Sequence, residues 1–175
     1  MPLRIRAFFP LLLLPALSSC SYAYDLLAVM IDGRLAFIVD TSSDYQPDCL
    51  SGIDVQADDD GPPASPAPAD DKRLVENGNV YWWDYRDVRS CENGFPLFYG
   101  RPLTGPRAEN IGYVSAKPLK RGVVYSVGTS GEGAYGFGWF QILPNGEVKN
   151  YRSDPTPPLR NDKGYVVEGQ SDASS

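Results

Sequence analysis

Short apolar segments separated by turn-forming dipeptides are the feature of this sequence that most restricts its fold. Asp32-Gly33 divides the apolar stretch at residues 26–40, and Asn145-Gly146 separates two later segments. Such dipeptides between apolar segments are the strongest short-range signal for a β-hairpin, because both turn residues take positive φ. No window shows the sustained 3.6-residue apolar period of an amphipathic helix. The chain is therefore predicted to be built from strands.

Turn signals recur at about ten-residue spacing and predict eight or nine short strands in one domain. This pattern is typical of an all-β fold, and we expect a single antiparallel β-sandwich of the immunoglobulin-like kind, with a small β-barrel as the alternative. These strands come from ten candidate segments, of which 96–100 and 164–168 are the optional ones: residues 26–31, 34–39, 53–55, 80–85, 96–100, 111–116, 123–127, 134–143, 147–151 and 164–168.

An acidic, proline-rich segment at residues 57–71 contains four prolines and five aspartates and no basic or aromatic residue. Such a composition cannot bury a core, so a solvated loop is predicted. Calcium binding is the alternative, but the ordered D-x-D-x-D-G spacing of a calcium loop is missing, and no metal is expected. The aspartates concerned are Asp58, Asp59, Asp60, Asp70 and Asp71.

The N-terminus has the organisation of an export signal. Arg4 and Arg6 precede an apolar run at residues 7–17, which is too short to span a bilayer as a helix. The run ends in L-S-S-C, which resembles a bacterial lipobox and implies cleavage before Cys20 and lipidation of that cysteine, as by palmitate. An ordinary signal peptide cut after Ala23 is the alternative.

The lipobox resemblance implies a domain organisation and a location. We expect a signal peptide at 1–19, a lipid-anchored tether at 20–25, the β domain at 26–169 and a flexible tail at 170–175. The membrane would be reached through the lipid anchor alone. Serine, and not aspartate, follows the cysteine, which favours the outer membrane of the bacterial envelope, facing the periplasm.

With Cys20 lipidated, Cys49 and Cys91 remain. An even pair of cysteines in an exported protein predicts a disulfide, with two free thiols as the alternative. The net charge is −6, and loss of residues 1–19 would remove two basic residues and no acidic one. This acidity disfavours nucleic acid and anionic lipid surfaces as partners.

A glycine-rich stretch at residues 128–140 contains the spacing G-x-G-x-x-G at Gly131, Gly133 and Gly136. In a dinucleotide site a helix follows this spacing, whereas here the following residues alternate as a strand does. We therefore predict a hairpin, and neither a nucleotide nor another cofactor.

The second strand of that hairpin has two unlike faces. Tyr135, Phe137 and Trp139 should share one face. Ala134 and the two glycines after it should share the other, so that a neighbouring segment or a partner can lie flat against it.

Histidine is absent from the sequence, which excludes histidine-dependent nucleophilic sites and histidine metal ligands. Only a carboxylate pair is left for an enzyme, and nothing in the sequence pairs the candidates, so no enzymatic activity is predicted. These candidates are Asp84, Asp87, Glu92 and Glu132.

Eleven tyrosines and three tryptophans exceed what the core of a small domain needs, and these residues dominate binding hot spots. Trp82 and Trp83 are adjacent and should face opposite sides of their strand. A protein partner, either a secreted effector or an envelope protein, is expected to bind at Glu132, Tyr135 and Trp139.

Several segments together make the chain similar to a broad group of small bacterial lipoproteins, some of which are described as type VI secretion immunity lipoproteins. They are the lipobox, D-G-R-L-A-F-I-V, V-Y-W-W-D-Y, A-K-P-L-K-R-G-V-V-Y-S-V-G-T-S-G and G-W-F-Q-I-L-P-N-G-E-V-K-N-Y. The resemblance implies a periplasm-facing module that binds and neutralises a toxic effector. A structural or assembly lipoprotein of the envelope is the alternative.

A second resemblance concerns S-G-E-G-A-Y at residues 130–135, which is similar to the S-G-S-G-A-R-Y loop of membrane-bound lysozyme inhibitors. It implies a loop that enters the lysozyme cleft. Glu132 stands where that family has serine, and the arginine before Tyr135 is missing.

Overall fold

The computed structural model describes residues 22–58, 61, 63–87, 92–131 and 133–152. Within them the chain is nearly all β, which confirms the predicted fold class. No helix in this part of the chain is long and apolar enough to cross a bilayer. The elements are β1 (Tyr22–Ile31), β2 (Arg34–Val39), β3 (Gly52–Ala57), α1 (Lys72–Gly78), β4 (Val80–Tyr85), β5 (Leu97–Phe98), β6 (Val124–Gly131), β7 (Ala134–Ile142) and β8 (Val148–Tyr151).

The described strands form one curled sheet with the order β4-β3-β6-β7-β1-β2-β5, and β8 pairs with β7 beside β1. The sheet makes a half-barrel, so the small barrel describes it better than two separate sheets. The curl depends on β1, whose first four residues pair with β7 and whose last six pair with β2. The pairing of β1 with β7 is parallel, which corrects the expectation of a wholly antiparallel arrangement. Turn signals report only strands that are neighbours in sequence, and β1 and β7 are not.

The predicted tether at residues 20–25 is wrong for Tyr22–Asp25, because these residues belong to β1. Their backbone pairs with residues 134–137 of β7. Residues 1–19, Cys20, the strand predicted at 164–168 and the tail at 170–175 lie outside the described residues.

The predicted hairpins are confirmed. Asp32 and Gly33 have φ of 49° and 74° at the turn between β1 and β2. Gly133 and Gly146 also take positive φ, at the turns on either side of β7. Each is a position where the turn requires the left-handed region.

The core fills the inside of the half-barrel with aromatic and branched side chains. The rings of Phe37 and Phe140 lie 5.4 Å apart and those of Tyr125 and Phe140 5.5 Å apart, and all three residues are fully buried. Each such side chain contributes about 2 kcal/mol through its burial. Trp82 lies in this core and Trp83 is only half-buried on the other side, which confirms their predicted opposite orientation.

Two local predictions are corrected. Residues 111–116 are not a strand and contribute only an isolated bridge from Val114 to Trp83. The helix α1 was not predicted, because its seven residues bury only Val75 and are too few for an apolar period. Its start depends on the cap at Asp71, whose side chain accepts from the Arg73 amide.

Where it is described, the loop predicted at 57–71 is exposed or half-buried between its ends, but Ala57 is buried in β3 and Asp70 is buried near the other end. Asp70 is buried, and its carboxylate accepts from the Lys117 ammonium and from the Ser115 and Ala67 amides. Burial raises the pKa of Asp70, but these contacts outweigh it and hold the pKa below its ordinary value. The prediction of a solvated loop is therefore wrong for Ala57 and Asp70.

Candidate functional site

The strand β7 has two unlike faces, as its alternation predicted, and the inner one is closed whereas the outer one is open. Ala134, Gly136 and Gly138 are buried. On the other side, Tyr135 is 47% exposed, Phe137 is 55% exposed and Trp139 is half-buried.

The small residues of the inner face make room for β1. A Cβ at Gly136 would run into the ring of Tyr24, and a Cβ at Gly138 would run into the backbone of Leu26. The Tyr24 hydroxyl also hydrogen-bonds to Thr129 at 2.7 Å, in a buried position. The flat inner face is therefore occupied by a neighbouring segment of the same chain, and only the outer face is open to a partner.

The outer side of the sheet carries two columns of aromatic side chains. Residues paired across neighbouring strands point to the same side, so the register places Phe137 in one row with Gly128, Asp54 and Trp83. The adjacent row contains Tyr135 and Tyr85. We call this surface the aromatic face, defined by Trp83, Tyr85, Tyr135, Phe137 and Trp139.

Small and polar residues of β3 and β6 lie between the two aromatic columns. Asp54 occupies their centre, where its carboxylate accepts from the Tyr85 hydroxyl at 2.8 Å and from the Gln56 amide at 3.3 Å. Gly128 leaves the space that this carboxylate fills, since a Cβ there would lie 2.8 Å from Oδ1. Together with Gly52, Ser126 and Ser130, Asp54 and Gly128 form what we call the floor of the aromatic face.

Burial raises the pKa of Asp54, and the hydrogen bonds from Tyr85 and Gln56 offset part of that effect. Burial and the Asp54 charge together raise the pKa of Tyr85, so its hydroxyl stays a donor. Among the described residues Asp54 forms no ion pair. Asp54 is thus a hydrogen-bond acceptor on the aromatic face, and its surroundings stabilise the ionised form of its carboxyl less well than water does.

A cavity lies at one end of the aromatic face, where two strands share one edge of β7. The strand β1 pairs with residues 134–137 and β8 with residues 139–142, and they part at Gly138. The cavity there has a volume of ≈ 260 Å³, and we call it the fork pocket. Its aromatic lining is Phe137, Trp139 and Tyr151, and its charged lining is Asp25, Asp40 and Arg152.

Hydrogen bonds hold the walls of the fork pocket. The Asp40 amide donates to the Asp25 carbonyl at 2.8 Å, and the Asp25 amide donates to the Ser43 hydroxyl at 2.9 Å. Hydrogen bonds from Ser42 lower the pKa of Asp40, and the charge of Arg152 adds to this. Asp40 is therefore an anion throughout the physiological pH range.

Tyr135 and Trp139, two of the predicted partner-binding residues, lie on the aromatic face, while Glu132 lies outside the described residues. Phe137 was not among the predicted partner-binding residues, although it is the most exposed ring of the strand. Asp54 was also missed. Its only signal was an acidic residue between the apolar residues Ile53 and Val55 of a predicted strand.

The structure describes only one of the two cysteines of the predicted disulfide. Cys49 is buried and disulfide-bonded. Cys91 and Cys20 are not among the described residues, so the pairing of Cys49 with Cys91 stays a prediction.

Of the carboxylates considered for catalysis, Asp84 is engaged inside the protein. Asp84 is fully buried and accepts from the Arg86 guanidinium and the Leu103 amide, each at 2.9 Å. Glu92 is exposed, and the amide of Asp87 donates to the Pro106 carbonyl at 3.0 Å. Glu132 lies outside the described residues.

The aspartates considered for calcium have other contacts where they are described. Asp70 binds Lys117, and Asp71 caps α1. In the described part of the chain, no group of three or more acidic, cysteine or histidine side chains could hold a metal ion. Asp59 and Asp60 lie outside it.

Comparisons with protein-family models, with curated proteins and with solved structures found no match to this chain.

Proposed function

We propose that this chain is a lipid-anchored binding module of the bacterial envelope that captures a protein partner on its aromatic face. One observation carries the proposal, namely the exposure of Phe137 and Tyr135 side by side on an interior strand of the sheet. Large rings at such positions leave apolar surface in water unless a partner covers them. Tyrosine and tryptophan at the centre of a patch are typical binding anchors.

The rigidity of β7 supports the same function. It pairs with β6 along its length and with β1 and β8 on its other edge. A strand held in this way presents its rings in fixed positions, so little conformational entropy is lost when a partner binds. The hydroxyls of Ser126 and Ser130 and the carboxyl of Asp54 add hydrogen-bonding groups between the rings.

The specific form that we propose is an immunity protein that neutralises a secreted toxic effector in the periplasm. The export signal, the lipobox at Cys20, the resemblance to immunity lipoproteins and the acidic charge support this form. No catalytic role is proposed, and no cofactor is needed for capture.

A contact-dependent competition tests the proposal. A strain lacking the gene is grown beside its parent and alone, and it is complemented with the wild type, with Phe137→Ser or with Met30→Ser. Met30 is a matched control, because it is 48% exposed but lies outside the aromatic face. Immunoblots confirm equal amounts of the three proteins.

We expect the uncomplemented strain to die only beside the parent, and wild type and Met30→Ser to rescue it where Phe137→Ser does not. Rescue by all three proteins would move the binding surface away from Phe137. Survival beside the parent, together with envelope defects in monoculture, would replace the immunity role by one in envelope assembly.

A further inference from the structure

We infer that the fork pocket is a binding site for a cationic side chain, an arginine or a lysine, presented by the partner that covers the aromatic face. This inference rests on the proposed function for the identity of the partner. It names the chemistry of the residue that the partner inserts beside Phe137.

The shape of the pocket suits one side chain. It is bounded by the parting strands β1 and β8 and is continuous with the aromatic face through Phe137 and Trp139. A residue of the partner that lies against the exposed ring of Phe137 therefore has the pocket next to it.

The aromatic lining favours a cation. Phe137, Trp139 and Tyr151 provide ring surfaces, whose negative faces attract ammonium and guanidinium groups. The Lys149 ammonium already lies 4.7 Å from the centre of the Tyr151 ring, so Phe137 and Trp139 are the rings that an inserted cation would contact.

The charged lining points the same way. Asp25 and Asp40 come from two different parts of the chain, and Arg152 is the one cation among the described residues of the lining. An inserted cation would pair with the Asp25 or Asp40 carboxylate, and a carboxylate–guanidinium contact is among the strongest hydrogen bonds in proteins. The chain's charge of −6 would also speed the encounter with a basic partner.

The test needs no knowledge of the partner. The full chain in detergent micelles is titrated with Nα-acetyl-arginine amide and, separately, with the neutral isostere Nα-acetyl-citrulline amide. The indole resonance of Trp139, assigned through Trp139→Phe, reports occupancy. The variants Asp25→Asn and Asp40→Asn remove the two carboxylates one at a time, and Asp32→Asn at the exposed hairpin turn is the matched control.

We expect the arginine probe, but not the citrulline probe, to shift the Trp139 resonance saturably. Each pocket variant should weaken that binding about tenfold, the scale of one charge-assisted hydrogen bond, while Asp32→Asn binds as wild type does. Equal shifts from both probes, binding that survives in both pocket variants, or no shift in the folded wild type would overturn the inference.

The outcomes separate the pocket from the proposed function. If Asp25→Asn and Asp40→Asn protect cells as wild type does while Phe137→Ser fails, the partner binds the aromatic face without using the pocket, and the inference falls alone. If the arginine probe binds as expected but the competition shows no protection, the pocket stands and the immunity role falls.

Discussion

The inner and outer faces of β7 share one backbone but differ in what covers them. The inner face carries Ala134, Gly136 and Gly138, which are buried beside the neighbouring strand β1, and the outer face carries Tyr135, Phe137 and Trp139, of which Tyr135 and Phe137 are exposed. In a strand shaped by stability alone, the large rings would face inward. The reversed placement is the basis of our proposal that the outer rings contact another molecule.

The largest expected effect contrasts two phenylalanines of the same strand. Phe140 is fully buried against Phe37 and Tyr125, so Phe140→Ala should cost about 4 kcal/mol of unfolding free energy. Phe137→Ala should change stability by no more than about 0.5 kcal/mol, because the ring is 55% exposed. Urea unfolding measures both, and similar losses would show that the outer ring belongs to the core.

A glycine substitution tests how tightly the inner face is closed. Gly138→Ala should cost about 3 kcal/mol, because the new Cβ would press on the Leu26 backbone, which cannot turn away as a side chain can. The control is Gly33→Ala in open space, where positive φ alone should cost about 1 kcal/mol. Denaturation midpoints compare the two, and a loss at Gly138 no larger than at Gly33 would mean that β1 is not held against β7.

The smallest expected effect concerns the floor of the aromatic face. Because folding raises the pKa of Asp54 above its ordinary value of 3.8, the ionised carboxyl weakens the folded state at neutral pH. Asp54→Asn should therefore stabilise the protein near pH 7 by up to about 1 kcal/mol. This advantage should shrink as the pH falls through the folded pKa of Asp54, since the wild-type carboxyl then becomes neutral as well.

Asp70 provides the control with the opposite sign. Folding lowers the pKa of Asp70. Its contribution to the stability of the folded state is therefore present above pH 3.8 and is lost as the pH falls through the folded pKa. Asp70→Asn should destabilise at pH 7, because it leaves the buried Lys117 without its counterion. Thermal unfolding from pH 3 to pH 7 follows both variants, and a destabilised Asp54→Asn at pH 7 would contradict the account of the floor.

The sequence predicted those features of the fold that depend on residues close together in the chain. The turns at Asp32-Gly33 and Asn145-Gly146 and the two faces of β7 depend on neighbouring residues, and these predictions are confirmed. The parallel pairing of Tyr22–Asp25 with β7 joins distant segments, and no turn or spacing encodes it.

The candidate site was predictable only where one strand carries it. Tyr135 and Trp139 followed from alternation along β7, and Phe137 followed from the same pattern but was not chosen. The Asp54 contacts join β3 to β4, and the fork pocket gathers residues from four separate stretches, so only the folded sheet reveals them. Their signals in the sequence are isolated acidic residues, which usually lie on a solvated surface, and aromatic residues, which are more often part of a core.

Photo-crosslinking in living cells tests most directly the claim that the outer face of β7 is covered by a partner. A photo-reactive benzoyl-phenylalanine is placed at position 137 or, as the control, at position 30, and cells are irradiated while in contact with the parent strain. We predict a discrete protein adduct at position 137 that is absent at position 30. The same adducts at both positions, or none at position 137 in a folded and exported protein, would contradict the claim.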